Sequence, residues 1–173
     1  YFEKTDICIN LIGILFEKGK NNSFANIHSY FPMMLAKLAN QNKIQQLIHV
    51  SALGVEKAVD SKYAISKLNG EKNVLKYFNK SLILRPSIVY SIDDNFSTTF
   101  MTLLNRLPIF PIYYNGKTKF TPIHCSDMTD IILNVINKNI NSKIIECVGP
   151  EILSFKEILI ILLNSIDKKR FFL

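Results

Sequence analysis

A chain of 173 residues that is 48% hydrophobic and 20% charged, with six glycines and six prolines, has the composition of a globular fold and excludes a disordered one. Its formal charge of +7 rests on 21 basic residues, of which only Arg85, Arg106 and Arg170 are arginines; the lysines are scattered and no basic cluster is interleaved with aromatics, so no nucleic-acid partner is indicated. No apolar run approaches the roughly 20 residues needed to cross a bilayer, although the net charge allows a weak attraction to an anionic membrane surface.

In chain order, residues 6–13 (DICINLIG) form a β-branched apolar run ended by glycine, the pattern of a strand buried on both faces of a parallel sheet. Apolar residues at helical spacing from Phe31 to Leu38 predict a helix that Asn40 and Asn42 close. A second buried strand, 47–51, runs into a glycine-containing loop. Asp60 or Ser61 then caps a helix reaching about Phe78, and residues 81–87 (SLILRPS) form a third strand stopped by Pro86. Strand, helix, strand, helix, strand is an α/β, doubly wound parallel sheet.

Beyond Pro86 the rhythm changes. Residues 96–108 read as a helix, 109–125 as short extended pieces around a turn at Asn115-Gly116, and 126–139 as a helix capped by Ser126 or Asp127. A strand at 143–149 and a helix at 154–166 follow. Cys8, Cys125 and Cys147 are odd in number and far apart in strand-like surroundings, which suits buried thiols in a reducing, cytoplasmic compartment. His28, His49 and His124 show no ligand spacing, so no metal is expected. The opening at Tyr1 has neither an initiator Met nor the layout of a signal peptide, and the sequence is expected to begin inside a fold.

The stretch SKYAISKLNGEKNV, residues 61–74, places Tyr63 and Lys67 four apart, on one face of a helix. A nearby ammonium favours a phenolate, so the pair can shuttle a proton near neutral pH while the lysine donates to ribose hydroxyls. Spacing alone is weak, since roughly 0.7 Tyr-x-x-x-Lys matches are expected by chance. Tyr113 and Lys117 match as well, but Pro111 and Gly116 put them in a turn. Tyr63 gains weight from context: it opens a helix just after a buried strand ending VSALG, at the sheet edge where open α/β sheets bind ligands.

Taken together and in order, INLIGILFE, LIHVSALGV, SKYAISKLNGEKNV, LRPSIVYSIDDNF, TPIHCSDMTDII and CVGPEILSFKEIL resemble the extended and atypical short-chain dehydrogenase/reductase superfamily. Within it they resemble the branch of NAD-dependent epimerase/dehydratase-like proteins that contains the NAD(P)-binding accessory subunit of respiratory complex I and its bacterial relatives. The resemblance implies a Rossmann-like fold with NAD or NADP, NADP slightly favoured, as its dinucleotide. It implies a dinucleotide-binding half-domain at 1–90 and a partial substrate lobe at 91–173. Asn10, Leu11 and Gly13 would lie along the ribose and pyrophosphate, Tyr63 and Lys67 at the nicotinamide ribose, and Pro86, Ser87 and Ile88 beside the nicotinamide, with Ser51 near the same edge. If the protein is active, Tyr63, Lys67 and Ser51 are its catalytic set.

Two departures from the family pattern bear on activity. Active members carry a Ser or Thr that bonds the substrate oxygen; the matching position is Ala52, or Ser51 if the alignment slips by one. The family's G-x-x-G-x-x-G turn, with the first strands and helices around it, does not occur in these 173 residues. Three readings follow: a nucleotide-holding protein like the complex I accessory subunit, associated with respiratory-chain subunits and peripheral to the inner membrane; a sugar-nucleotide epimerase, dehydratase or reductase; or a decayed or split gene product. Phe96, Arg106 and Tyr114 are candidates for a substrate cleft, and Gly70 reads as a close-packing position in mid-helix.

Overall fold

The computed structural model of the protein describes residues 4–138, 140 and 143–173. Tyr1, where the opening was read, and Asn139, the expected end of one helix, lie outside the described residues. In chain order the elements are β1 (Ile7–Asn10), a π-helical turn (Ala25–Tyr30), α1 (Phe31–Gln41), β2 (Gln46–Val50), α2 (Lys62–Tyr77), β3 (Ser81–Pro86), β4 (Val89–Tyr90), α3 (Asn95–Arg106), β5 (Ile109–Phe110), β6 (Lys119–Phe120), β7 (Ile123–His124), α4 (Cys125–Asn137), β8 (Ile144–Cys147), β9 (Leu153–Ser154), α5 (Phe155–Ser165) and β10 (Phe171–Phe172). A 3₁₀ turn at Tyr113–Gly116 carries left-handed Tyr114 and Asn115, in the region expected to turn.

Two compact units result, one formed by Tyr1–Pro86 with Asn139–Cys147 and the other by Ser87–Lys138 with Val148–Leu173. The first holds a parallel sheet in the order β1-β2-β3-β8. The division therefore falls at Pro86, and β8, which lies beyond residue 90 in sequence, returns to pair β3. β3 is paired on both sides and buried from end to end. β1 pairs β2 alone among the described residues, and Ile9 is 40% exposed. The strand expected to be buried on both faces is thus only partly covered by the described residues.

Ala36, Ala39, Ile44, Leu47, Val74, Phe78 and Ile83 close the core of this unit. The two alanines have no exposed surface, and their small side chains let α1 sit close to the sheet and α2. Ser61, the second of the two expected caps, starts α2 by accepting from the Ala64 N–H at 3.3 Å. Behind the sheet edge, Arg85 on β3 donates twice to Glu71 of α2, at 3.0 and 2.7 Å, and once to Glu56 at 2.9 Å. This fork ties the loop after β2 to both elements.

In the second unit, α3 and α5 pack around Leu104, Phe110, Ile158, Leu159, Leu162 and Leu163. β4 pairs β7, β5 pairs β10, and β6 pairs β9. Ser154 and Glu157 form a capping box at the start of α5. The cap of α4 is His124, not Ser126 or Asp127: its imidazole accepts from the Ser126 N–H, and the helix begins one residue earlier than expected. That places Cys125 in the first helical turn, exposed, whereas Cys147 is buried and Cys8 half-buried, so only two of the three thiols have the shielding read from the sequence.

Gly70 of α2 sits against the π-helical turn. A Cβ at this position would lie 1.9 Å from the His28 carbonyl oxygen, a backbone atom that cannot swing aside. Gly70→Ala is expected to lower unfolding stability by about 2 kcal/mol or more, as overpacking against backbone does; urea denaturation of the variant beside wild type measures it.

Candidate functional site

Tyr63, Ser66, Lys67 and Gly70 recur at helical spacing and form one stripe of α2. Lys67 is buried, and its Nζ donates to the Val50 carbonyl at the end of β2 at 3.2 Å. On its other side stands the loop after β1, where a Cβ at Gly13 would lie 3.2 Å from Nζ and 3.6 Å from His28 Nε2. Glycine at 13 therefore leaves room for the ammonium. Among the described residues Lys67 has no ion-pair partner. Burial lowers its pKa to about 8, and the nearby Glu71 carboxylate partly opposes the drop.

Two histidines complete the surroundings. Register pairs Asn10 of β1 with His49 of β2, and Asn10 Nδ2 donates to His49 Nδ1 at 2.9 Å. The Asn10 Oδ1 accepts from the Ile12 N–H at 3.1 Å, which fixes the orientation of the amide. His28, in the π-helical turn, accepts from the Ile14 N–H through Nε2 at 3.0 Å, and its Nδ1 meets Ser66 Oγ at 2.9 Å. Ser66 in turn donates to the Tyr63 carbonyl at 2.7 Å. Burial first, and the Lys67 charge second, lower the pKa of His28 to about 4 and that of His49 to about 3; for His49 the His28 ring adds a smaller effect. Both rings are neutral at physiological pH.

The Tyr63 ring meets His28 edge-on at 5.2 Å and Phe24 edge-on at 5.8 Å. Burial raises its pKa. Desolvation sets this shift, opposite in direction to the pull expected of a neighbouring ammonium, so Tyr63 enters the site as a protonated phenol.

The structure thus brings Asn10, Gly13, Tyr63 and Lys67 around His28 and His49. Leu11 belongs to the same loop and is 67% exposed. Ser51 follows β2; it is buried, and its hydroxyl has no hydrogen-bond partner among the described residues. Ala52 offers no donor there. Pro86 ends β3, its carbonyl accepting from the Leu53 N–H at 2.8 Å. Ser87 and Ile88 fall in the second unit, where Ser87 Oγ accepts from the Thr121 N–H at 3.2 Å and the Ile88 carbonyl accepts from Ile123.

That unit contains a cavity of about 310 Å³ lined by Ile88, Phe96, Leu153, Ile158, Ile161 and Glu151 among others. Phe96 is one of the three residues picked from the sequence as cleft candidates; Arg106 and Tyr114 are exposed and do not line this cavity. Sequence reading missed His28 and His49, which it weighed only as metal ligands. Among the described residues no three His, Cys, Asp or Glu side chains gather to hold a metal ion. His49, a polar residue inside the apolar run LIHV, was the available signal; His28 had none.

No protein-family model matches the chain. It is 27% identical over 162 residues, 93% of its length and 44% of the relative's, to the mitochondrial NADH dehydrogenase [ubiquinone] 1 alpha subcomplex subunit 9 of Dictyostelium discoideum. To the subunit of that name from Mus musculus it is 29% identical over 132 residues, 76% of this chain and 35% of the relative. The chain thus spans less than half the length of these curated relatives. A dTDP-4-dehydrorhamnose reductase from Clostridium acetobutylicum superposes with a TM-score of 0.83 at 21% identity, over 99% of this chain and 67% of that one. A UDP-glucuronic acid 4-epimerase from Bacillus cereus in complex with NAD gives a TM-score of 0.80 at 21% identity, over 99% and 64%. The fold is the Rossmann-like one that the residues led us to expect.

Neutral burial of two histidines makes stability depend on pH with a definite sign. Each has a folded pKa below the ordinary value near 6.5, so the unfolded chain binds more protons as pH falls below that value. Stability is therefore expected to decline as pH drops from about 6.5 toward 4, with part of the slope removed in His49→Gln. Urea midpoints at a series of pH values across that window provide the check.

Proposed function

From its kinship with subunit 9 of the NADH dehydrogenase alpha subcomplex, we infer that the chain is a segment of a protein that holds a nicotinamide dinucleotide as a structural ligand. The observation that carries this reading is the buried Lys67 ammonium. A lysine has three donors, and burying it without a carboxylate partner costs stability unless its hydrogen bonds are filled. One goes to Val50; a ribose diol is suited to the others. The room left at Gly13 and the unpartnered Ser51 hydroxyl fit such a ligand.

When bound, the dinucleotide brings hydride chemistry to the site. The residues of this chain hold it: Lys67 and Tyr63 donate to the nicotinamide ribose, and Asn10, Leu11 and Gly13 border its approach after β1. Ser51 and Pro86 lie at the ends of β2 and β3. The roles of Ser87 and Ile88 rest on the resemblance alone. A phenol whose pKa burial raises is suited to holding a ribose and poorly suited to abstracting a proton at neutral pH. Ligand bound to the native state alone stabilises it by mass action, which serves a subunit whose partners are those of the respiratory chain, at the mitochondrial or bacterial inner membrane. No helix among the described residues is long and apolar enough to cross a membrane, which accords with a peripheral seat.

The Ser51 hydroxyl favours one second reading, a sugar-nucleotide epimerase, dehydratase or reductase in which Ser51 polarises the substrate oxygen. Glu151 is the one charged residue lining the cavity of the second unit among the described residues, so that cavity supplies no cation for a pyrophosphate.

Two measurements test these readings. Titration of the protein with NADPH and NADH by fluorescence between pH 6.5 and 9.5 is expected to show affinity falling as pH rises through about 8, where Lys67 loses its proton. Lys67→Arg removes that break, and Lys67→Met weakens binding by about tenfold or more; pH-independent binding in wild type would count against the site. In the second, Tyr63→Phe is expected to weaken dinucleotide binding only a few-fold, and no sugar-nucleotide turnover is expected from wild type. Turnover that Tyr63→Phe abolishes would establish the enzyme reading.

A further inference from the structure

His28 is 1% exposed and bridges three segments of the first unit. Its ring stacks on Phe24 at 5.3 Å and 17°, it accepts from the Ile14 N–H, and it meets Ser66 of α2. Its backbone carbonyl rests on Gly70. It also lies in a π-helical turn, a rare geometry that recurs at functional sites.

The hydrogen bonds define its tautomer. A backbone N–H only donates, so Nε2 must present a lone pair to Ile14. The Ser66 proton is committed to the Tyr63 carbonyl, so Ser66 Oγ presents a lone pair and Nδ1 must carry the proton. A second proton would have to enter on Nε2, breaking the Ile14 bond beside the Lys67 ammonium. The loop after β1 is thereby held at two places: by the His49–Asn10 pair at its start and by His28 at Ile14. Gly13 lies between them, next to Lys67 Nζ.

We propose that His28 is a positioning residue of the dinucleotide site: as a neutral imidazole protonated on Nδ1, it ties the loop after β1 to α2 and fixes the Gly13 backbone against the Lys67 ammonium. This rests on the dinucleotide reading above. The groups coupled electrostatically to Lys67 are His28, His49 and Glu71; both imidazoles are neutral near neutral pH, and the Glu71 carboxylate is held in place by Arg85. Release of the loop therefore changes the hydration of Lys67 and leaves its charged neighbours in place.

The test compares wild type, His28→Gln and His28→Asn, each titrated with NADPH and NADH across pH 6.5 to 9.5. A glutamine oxygen reaches the place of Nε2 and still accepts from Ile14; asparagine, one carbon shorter, reaches only the Ser66 end. His28→Gln is expected to bind within about threefold of wild type, and His28→Asn about tenfold more weakly. The pH at which affinity falls is expected to move upward in His28→Asn, because water then reaches Lys67. Equal weakening in both variants, or wild-type behaviour in His28→Asn, overturns the proposal while the dinucleotide reading stands. Failure of wild type to bind either nucleotide removes the dinucleotide reading and the proposal together. If His28→Asn does not fold, nitrogen NMR of wild type decides: a protonated Nδ1 and a bare Nε2 are expected, and the opposite tautomer overturns the clamp.

Discussion

A lysine ammonium enclosed by protein is the constraint on which the first unit depends. Taken out of water, Lys67 keeps its charge at neutral pH through the Val50 carbonyl and the field of Glu71, one helical turn further along α2. That charge then governs its neighbours. Two imidazoles buried beside a cation stay neutral at physiological pH, and a neutral imidazole is a donor at one nitrogen and an acceptor at the other. The directions of the bonds to Ile14, Ser66 and Asn10 are then set by their partners: the Ile14 N–H and the Asn10 amide N–H donate, and the Ser66 proton goes to the Tyr63 carbonyl. The loop after β1 is placed by hydrogen bonds to rings that a nearby positive charge keeps neutral.

The support for this arrangement comes from the next turn of the same helix. Glu71 holds Arg85 with two parallel hydrogen bonds, and Arg85 reaches on to Glu56 in the loop after β2. A buried ion pair gives little net stability once desolvation is counted. Its contribution here is geometric, since a planar guanidinium allows few relative placements of α2, β3 and that loop. Close approach of α2 to the π-helical turn depends in the same way on Gly70, where a side chain would occupy the place of the His28 carbonyl.

The same fold occurs in proteins of two kinds. Relatives by sequence are subunits of NADH dehydrogenase, and superposable structures include sugar-nucleotide reductases and epimerases. In this chain burial keeps the Tyr63 phenol protonated, and the cavity of the second unit has one acidic lining residue and no basic one among the described residues. Ser51 retains a buried hydroxyl without a hydrogen-bond partner among the described residues.

The sequence by itself determined the order of strands and helices up to Pro86, because apolar runs and a Ser cap are local signals, and it singled out Tyr63 and Lys67, because i and i+4 share a helix face. It did not disclose that β8 returns to β3, since pairing partners are chosen by contacts distant in sequence. His28 and His49 were illegible for the same reason. His49 meets Asn10 only through the register of β1 on β2, and His28 meets Ile14 and Ser66 only once the π-helical turn packs on Gly70. The shift of Tyr63 upward was likewise decided by tertiary structure. Sequence places an ammonium four residues away, but how much water remains around a phenol is a property of the packed site.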